Sequence, residues 1–344
     1  MTDIVLAEAR TLADPTLADR LALLDTAAAE YARPIRNTEE AYRADWRAWL
    51  RFLEDLNLSL AKEDPHGTPV PPTVTTMGVF VAFMAWHERN ELAPDTAERR
   101  LYGVIMTLRQ HHGIEVPKQT ISAARQTLTN YRLELAKANT PRGRGQAPAA
   151  TVPDLRRICA AFVPNLAGHR DRAIVLLGFA IAARRSNLAV LDVTDVVEHA
   201  EGLAVTVRYG KTGARDAAVD RGTNPGTCPV RAVRTWIEAA EATAGLPLSG
   251  PLFRPIDRHG NLSDARMSPR ACGEVVTRAA EAAGVPYRTG HSLRAGLATE
   301  ARKAGHDVKT IADQGGWNPT SAELYKYLRI VDRWADNATK GIGL

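Results

Sequence analysis

Cysteine is scarce in this 344-residue chain, and the three present, Cys159, Cys228 and Cys272, have neither CxxC nor Cys/His spacing. Neither a disulfide framework nor a zinc site is therefore expected, and a reducing cytoplasm is the natural compartment. Long apolar runs are lacking too. No stretch could span a bilayer, and MTDIVLAEARTLADP carries acids where a secretory leader would place basic residues before an apolar core. Also missing are an Asp/Glu cluster for a magnesium pair and a Gly-x-x-x-x-Gly-Lys-Ser/Thr loop for ATP, so no cofactor is expected.

What is present is positive charge. The formal net charge is +5 and the pI about 9.2, which suits a polyanionic partner without requiring one. Arginine outnumbers lysine, as bidentate phosphate contacts would favour. The length allows two domains with separate cores.

Residues 1–36 read as an Ala- and Leu-rich helical arm ending near Arg33-Pro34. Asn37 followed by Glu40 marks a helix start, and Tyr42, Trp46, Trp49, Leu50 and Leu53 then form a core stripe. Three more helices follow. One carries Met77, Val81, Phe83, Met84 and Trp86, the next carries Leu101, Ile105 and Leu108, and the last runs from about Thr120 to Ala136 with Arg125 and Arg132 on its polar side. His111 and His112 end the third helix and read as surface groups. Residues 37–137 thus form an all-helical module. Residues 138–152, ANTPRGRGQAPAATV, form a linker. Its Arg142 and Arg144 are either phosphate contacts or simply the charge of a soluble linker.

The second domain, 153–344, opens with two helices, the second reaching Ala183 through the apolar Ile174–Ile181 stretch. A buried helix ending in Arg184-Arg185 can hold a charge rigidly toward a ligand. Alternating stretches at 193–198, 203–209 and 217–220 predict a small antiparallel sheet with Lys211 at a hairpin tip. Cys228 opens a further helix as a small packing residue, since no base accompanies it. The expected fold is mainly α with a small antiparallel β-sheet.

Near the C-terminus the chain reads TGHSLRAGLATEARKAGHDVKTIADQGGWNPTSAELYKYLR. His291 and Arg294 share a helix face and could approach one phosphate together. Trp317, Tyr325 and Tyr327 follow. A His-x-x-Arg tetrapeptide alone more often marks a solvated face, and tyrosines are more often packing residues. The order of these groups, however, resembles the active-site region of the tyrosine recombinases, or phage integrase family, and Gly315-Gly316-Trp317 with Tyr327-Leu328-Arg329 resembles its Cre-like branch.

That resemblance implies a two-domain DNA clamp, with 37–137 as the core-binding domain whose Arg125 and Arg132 could meet DNA. Against the family box Gly-Leu-Arg-x-Ser-Glu-Leu, Ser186 and Leu188 select Arg184 as the catalytic arginine and leave Asn187 at the usual acidic position. It further implies Arg184 and Arg294 as phosphate clamps, Lys211 as general acid, His291 as base or hydrogen-bond donor, Trp317 as N–H donor and Tyr327 as nucleophile. Tyr327 lies one residue farther from Trp317 than is usual in the family and Tyr325 one nearer. The following Leu328-Arg329 selects Tyr327. The implied function is site-specific recombination or integration through a 3′-phosphotyrosine, free of metal and ATP. The implied partners are a double-stranded DNA site, a homotetramer of this chain and an accessory directionality factor. Two alternatives stand beside it, a type IB topoisomerase-like DNA-relaxing enzyme and a non-catalytic DNA-binding protein. The target sequence and the direction of the reaction are not legible.

Overall fold

Of the stripe Tyr42, Trp46, Trp49, Leu50 and Leu53, the residues Trp46, Trp49 and Leu53 are buried on the inner face of a helix, α1 (Arg36–Asp55), where Phe52 joins them, while Tyr42 and Leu50 are half-buried at its edge. Asn37, expected at the helix start, is already helical. In the computed structural model, residues 36–58, 72–143, 145–208, 213–335 and 337–342 are described, and the chain divides into two compact units, Met1–Gly145 and Gln146–Leu344. Residues 1–35 of the expected arm lie outside the described residues.

The first unit adds α2 (Met77–Arg89), α3 (Pro94–His112) and α4 (Lys118–Lys137), with α1 packed on α3 and α2 on α4. Trp49 sits at the centre, edge-on to Phe83 with ring centroids 4.9 Å apart and tilted against Phe80 at 5.1 Å. His112 is not the surface group its position predicts: its ring stacks on Trp46 at 5.1 Å. Gly113, at φ 63°, ends α3 in the left-handed conformation that glycine adopts without strain.

Beneath that core lies His87, fully buried. Its Nδ1 lies 2.7 Å from the Phe83 carbonyl, to which it donates, leaving Nε2 to accept from Arg100 Nη1 at 3.3 Å. The Nε2 contact requires the neutral ring, since both nitrogens of an imidazolium are donors. Burial, aided by the Arg100 charge, pushes its pKa down to about 4.

The second unit is built around α6 (Leu166–Ala180), whose Ile174, Val175 and Leu177 are all fully buried. From Ala173 onward this helix is apolar on every side, a pattern that belongs in the middle of a core. Around it pack α5 (Val152–Ala160), α8 (Pro229–Ala244), α9 (Pro269–Ala282) and α10 (Gly290–Lys303). The short α7 (Arg185–Val190) follows α6 directly. The sheet runs β1 (Val196–Glu198), β2 (Gly202–Val207) and β3 (Arg215–Asp220) in sequential antiparallel order, with Val205 opposite Val196 on one side and Ala217 on the other. Residues 193–195, expected as strand, instead form a 3₁₀ turn, because the Asp195 carboxylate accepts from the Asp192 N–H at 2.8 Å. The chain closes with α11 (Val308–Gly315) and α12 (Ala322–Ala335), which pack with α10 into a second cluster containing Trp317 and Tyr327.

The His87 geometry has a measurable consequence. With its folded pKa below the unfolded value, stability is fully present above about pH 6.5 and is lost as pH falls toward the folded pKa, by on the order of 3 kcal/mol. Denaturant titrations of wild type and His87→Gln between these limits test it. The wild type is expected to lose the extra increment, and parallel pH profiles would refute the assignment.

Candidate active site

The site is organised by a cation that has been taken out of water. Arg294 is 2% exposed. Its Nη1 donates to the Ala182 carbonyl at 2.7 Å and to the Gly315 carbonyl at 2.5 Å. Ala182 lies just past the end of α6 and Gly315 ends α11. Carbonyls there have no partner within their own helix and carry the negative end of its dipole. Two helix C-termini thus hold one guanidinium, and the Trp317 ring covers its face 3.7 Å away. Nη2 has no hydrogen-bond partner among the described residues although it is buried. A donor held in this way is suited to an anion that arrives later. Burial first, then the charges of Arg184 and Arg215, push the Arg294 pKa down to about 9.

Ser292, fully buried, secures the start of α10: its hydroxyl accepts from the Thr289 N–H at 3.0 Å. That fixes the first turn, from which His291 reaches α12. His291 Nε2 lies 2.7 Å from the Tyr327 hydroxyl. Tyr327 is 3% exposed, whereas Tyr325 is 40% exposed. Two residues along a helix turn the side chain by roughly 200°, so only one of these tyrosines can face inward. Burial raises the Tyr327 pKa, helped by Glu323 and opposed by Arg294 and Arg184. Desolvation by the surrounding protein lowers that of His291, even though the ring keeps an open side, and the Arg294 and Arg184 charges add to it. At neutral pH the pair is therefore a neutral imidazole facing an intact phenol.

Arg184 stands at the N-cap of α7, half-buried, and its charge is felt by His291, Arg294, Arg215 and Tyr327. Asn187 is buried, and its side-chain oxygen accepts from the Arg184 backbone N–H at 3.0 Å. The amide thus fills the capping role a carboxylate could fill, without adding negative charge. The structure brings Arg184, His291, Arg294, Trp317 and Tyr327 together. Lys211 lies outside the described residues.

Of the arginines predicted from the sequence to meet DNA, Arg125 is exposed on α4. Arg132 pairs with Glu98 at 2.8 Å and Asp95 at 3.0 Å. Arg142 forms a two-pronged contact with Glu91 at 2.8 and 3.1 Å. Arg144 lies outside the described residues. No group of His, Cys, Asp or Glu among the described residues could hold a metal ion, and no helix there is long and apolar enough to cross a membrane.

Sequence reasoning missed Arg215, Gln314 and Glu323. Arg215 opens β3, with Nη2 donating to the Ile181 carbonyl at 2.5 Å and Nη1 to the Gln314 carbonyl at 2.7 Å. Gln314 Nε2 donates to the Ala180 and Ala218 carbonyls at 2.9 and 2.8 Å. Their partners are backbone atoms, which leave no mark in a sequence. Glu323 had a weak signal, an acid four residues before Tyr327 on the same helix face.

With the geometry in hand, the comparisons with known proteins agree on one class. The phage integrase family pattern matches residues 150–331, and the chain belongs to that family. An integrase/recombinase xerD homolog from Selenomonas ruminantium is 30% identical over 180 residues, which is 51% of each protein, so the chain spans about half the length of that curated relative. Among solved structures, the XerH site-specific recombinase bound to palindromic difH substrate in a post-cleavage complex superposes with a TM-score of 0.56 at 11% identity, covering 88% of this chain and 79% of that one. The Tn1549 transposon integrase in complex with transposon right end DNA gives 0.53 at 14% identity, covering 87% and 90%. At these identities the superpositions establish the fold.

A Cβ placed on Gly315 would lie 1.7 Å from the Trp317 ring. Gly315→Ala must therefore displace the indole from Arg294, and we expect it to destabilise the second unit by about 1–3 kcal/mol. Calorimetry, with tryptophan fluorescence to follow the indole, checks this. An unchanged melting profile would contradict the packing described.

Proposed function

We propose that this chain is a site-specific DNA recombinase or integrase that cleaves and rejoins strands through a covalent 3′-phosphotyrosine. The single observation that carries the reading is the His291–Tyr327 contact of 2.7 Å beside a buried arginine with a free donor. Phosphoryl transfer to a phenol is a problem of charge: the transition state gathers it on the non-bridging oxygens, and the phenol holds its proton at neutral pH. Arg294 Nη2 and the Arg184 guanidinium would clamp those oxygens. Tyr327 Oη attacks phosphorus, and His291 Nε2, neutral because its pKa is depressed, takes the phenolic proton. The bond from phosphorus to the 5′-oxygen breaks, and Lys211, by family resemblance, returns a proton to that oxygen. A 5′-hydroxyl of a partner strand then reverses the sequence. One phosphodiester is exchanged for another, so bond energy is conserved.

Trp317 takes the part of a platform for Arg294 in this reading. The first unit, around residues 37–137, would be the DNA-gripping core-binding domain, with exposed Arg125 the best placed of its candidates. The partner would be double-stranded DNA carrying a recombination site, engaged by four copies of the chain in the cytoplasm, with an accessory factor setting direction.

Covalent capture on nicked, randomised duplexes, resolved on a denaturing gel, tests the chemistry. Adduct is expected from wild type and Tyr325→Phe and is expected to be lost in Tyr327→Phe; adduct surviving in Tyr327→Phe would remove the assigned nucleophile. The captured duplex, rejoined to a second copy of itself, separates strand exchange from mere supercoil relaxation. The pH dependence is a further expected outcome. A base with a depressed pKa is competent at neutral pH and is lost only in acid, so adduct formation should hold level down to about pH 6.5 and fall below it. A rate that already falls between pH 8 and about pH 7 would contradict a neutral His291.

A further inference from the structure

Arg215 and Arg294 grip neighbouring atoms. Arg294 bridges the carbonyls of Ala182 and Gly315, and Arg215 bridges those of Ile181 and Gln314, the residue before each. Two guanidiniums therefore run side by side between the end of α6 and the end of α11. Gln314 extends the tie by bonding to Ala180 on α6 and to Ala218 on β3. The chain needs restraint here: Ala182 holds φ at 45°, a left-handed conformation unfavourable for a residue with a Cβ, and Arg184 follows two positions later.

An ordinary structural brace would be neutral, or paired with an acid. Arg215 has no carboxylate within ion-pair distance among the described residues, and neither do Arg184 and Arg294. Burial first, and then the Arg184 charge, push the Arg215 pKa down to about 10, so the cation is held at an electrostatic disadvantage. The converging helix C-termini offset part of that disadvantage. The remaining positive potential favours an anion at the uncompensated edge of the cluster, where Arg294 Nη2 is unpartnered.

We infer that Arg215 is a positioning residue for strand cleavage, bracing the two helix ends that hold Arg294 and lead into Arg184 and adding its charge to their field. This rests on the phosphotyrosine reading above. Arg215 touches no reacting atom; it acts through the placement of Arg294 and Arg184. A lysine keeps the charge but offers one nitrogen in place of the two that Arg215 uses, without the planar fork that fixes their spacing.

The test uses the full chain and a duplex recovered by covalent capture. Single-turnover adduct formation is measured beside DNA affinity, for wild type, Arg215→Met and Arg215→Lys. A misplaced clamp of this kind costs about 100-fold in rate, so Arg215→Met should lose on that order. Its DNA affinity should stay within about threefold, because the lost interaction matters chiefly in the transition state. Arg215→Lys should fall between wild type and Arg215→Met. A second substrate carries a methylphosphonate at the scissile position, which removes the charge the arginines serve. There the Arg215→Met deficit should shrink to less than about tenfold. A deficit of equal size on both linkages, or a parallel loss of affinity and rate, overturns the inference and leaves Arg215 as a folding brace. Should Arg215→Met fail to fold, the same comparison of linkages is read from Arg215→Lys. Failure of the wild type to form a Tyr327 adduct would instead bring down the phosphotyrosine reading itself.

Discussion

A guanidinium buried between two helix C-termini is the constraint on which the second unit depends. Burying an unpaired cation costs several kcal/mol, and the usual remedy is a carboxylate. Here the remedy is backbone: Arg294 takes carbonyls from Ala182 and Gly315 and is covered by Trp317. The choice of partner has consequences. A carboxylate would cancel the charge, whereas dipole ends stabilise it and leave it available for a ligand. The rest of the cluster follows from keeping that geometry. Gly315 has no side chain because the indole occupies the space, and Gly296 lets α10 approach the Ala150 carbonyl, which a Cβ there would meet at 2.2 Å.

The same economy of negative charge sets the pair that faces it. Tyr327 is held as a phenol by burial and His291 as a free base by desolvation and two nearby arginines. Neither group is ionised before an anion arrives. The influences then work in one direction: Arg294 and Arg184 favour negative charge on Tyr327 oxygen, while burial and Glu323 oppose it. Asn187 fits this balance. An acid at that position would cap the Arg184 N–H as well, yet it would add a second negative charge to that of Glu323 beside the arginines.

The first unit shows the opposite habit. Its surface arginines are commonly paired, Arg132 with Glu98 and Asp95 and Arg142 with Glu91. Exposed pairs of this sort are worth little in stability and are readily exchanged for phosphate, so pairing does not remove them as polyanion contacts. It does alter the balance: an exchanged arginine leaves a carboxylate behind, which Arg125 would not.

Whatever is written in adjacent residues could be read directly along the chain. The α1 stripe, the apolar second half of α6, the order of Arg184, His291, Arg294, Trp317 and Tyr327, and the mainly helical class with one small sheet were all legible, because periodicity and short motifs are local. Edges were less so: β3 begins two residues before the expected Ala217, and the 193–195 strand is a 3₁₀ turn made by one Asp195 hydrogen bond. Tertiary structure alone decided that the Tyr327 hydroxyl, and not that of the exposed Tyr325, lies on His291. It alone showed that Asn187 caps a backbone N–H and that Arg215 stands beside Arg294. The physical reason is the same in each case. These arrangements depend on which backbone carbonyls and N–H groups meet in space, and every residue except proline carries the same backbone groups, so no pattern of side chains along the chain records where they converge.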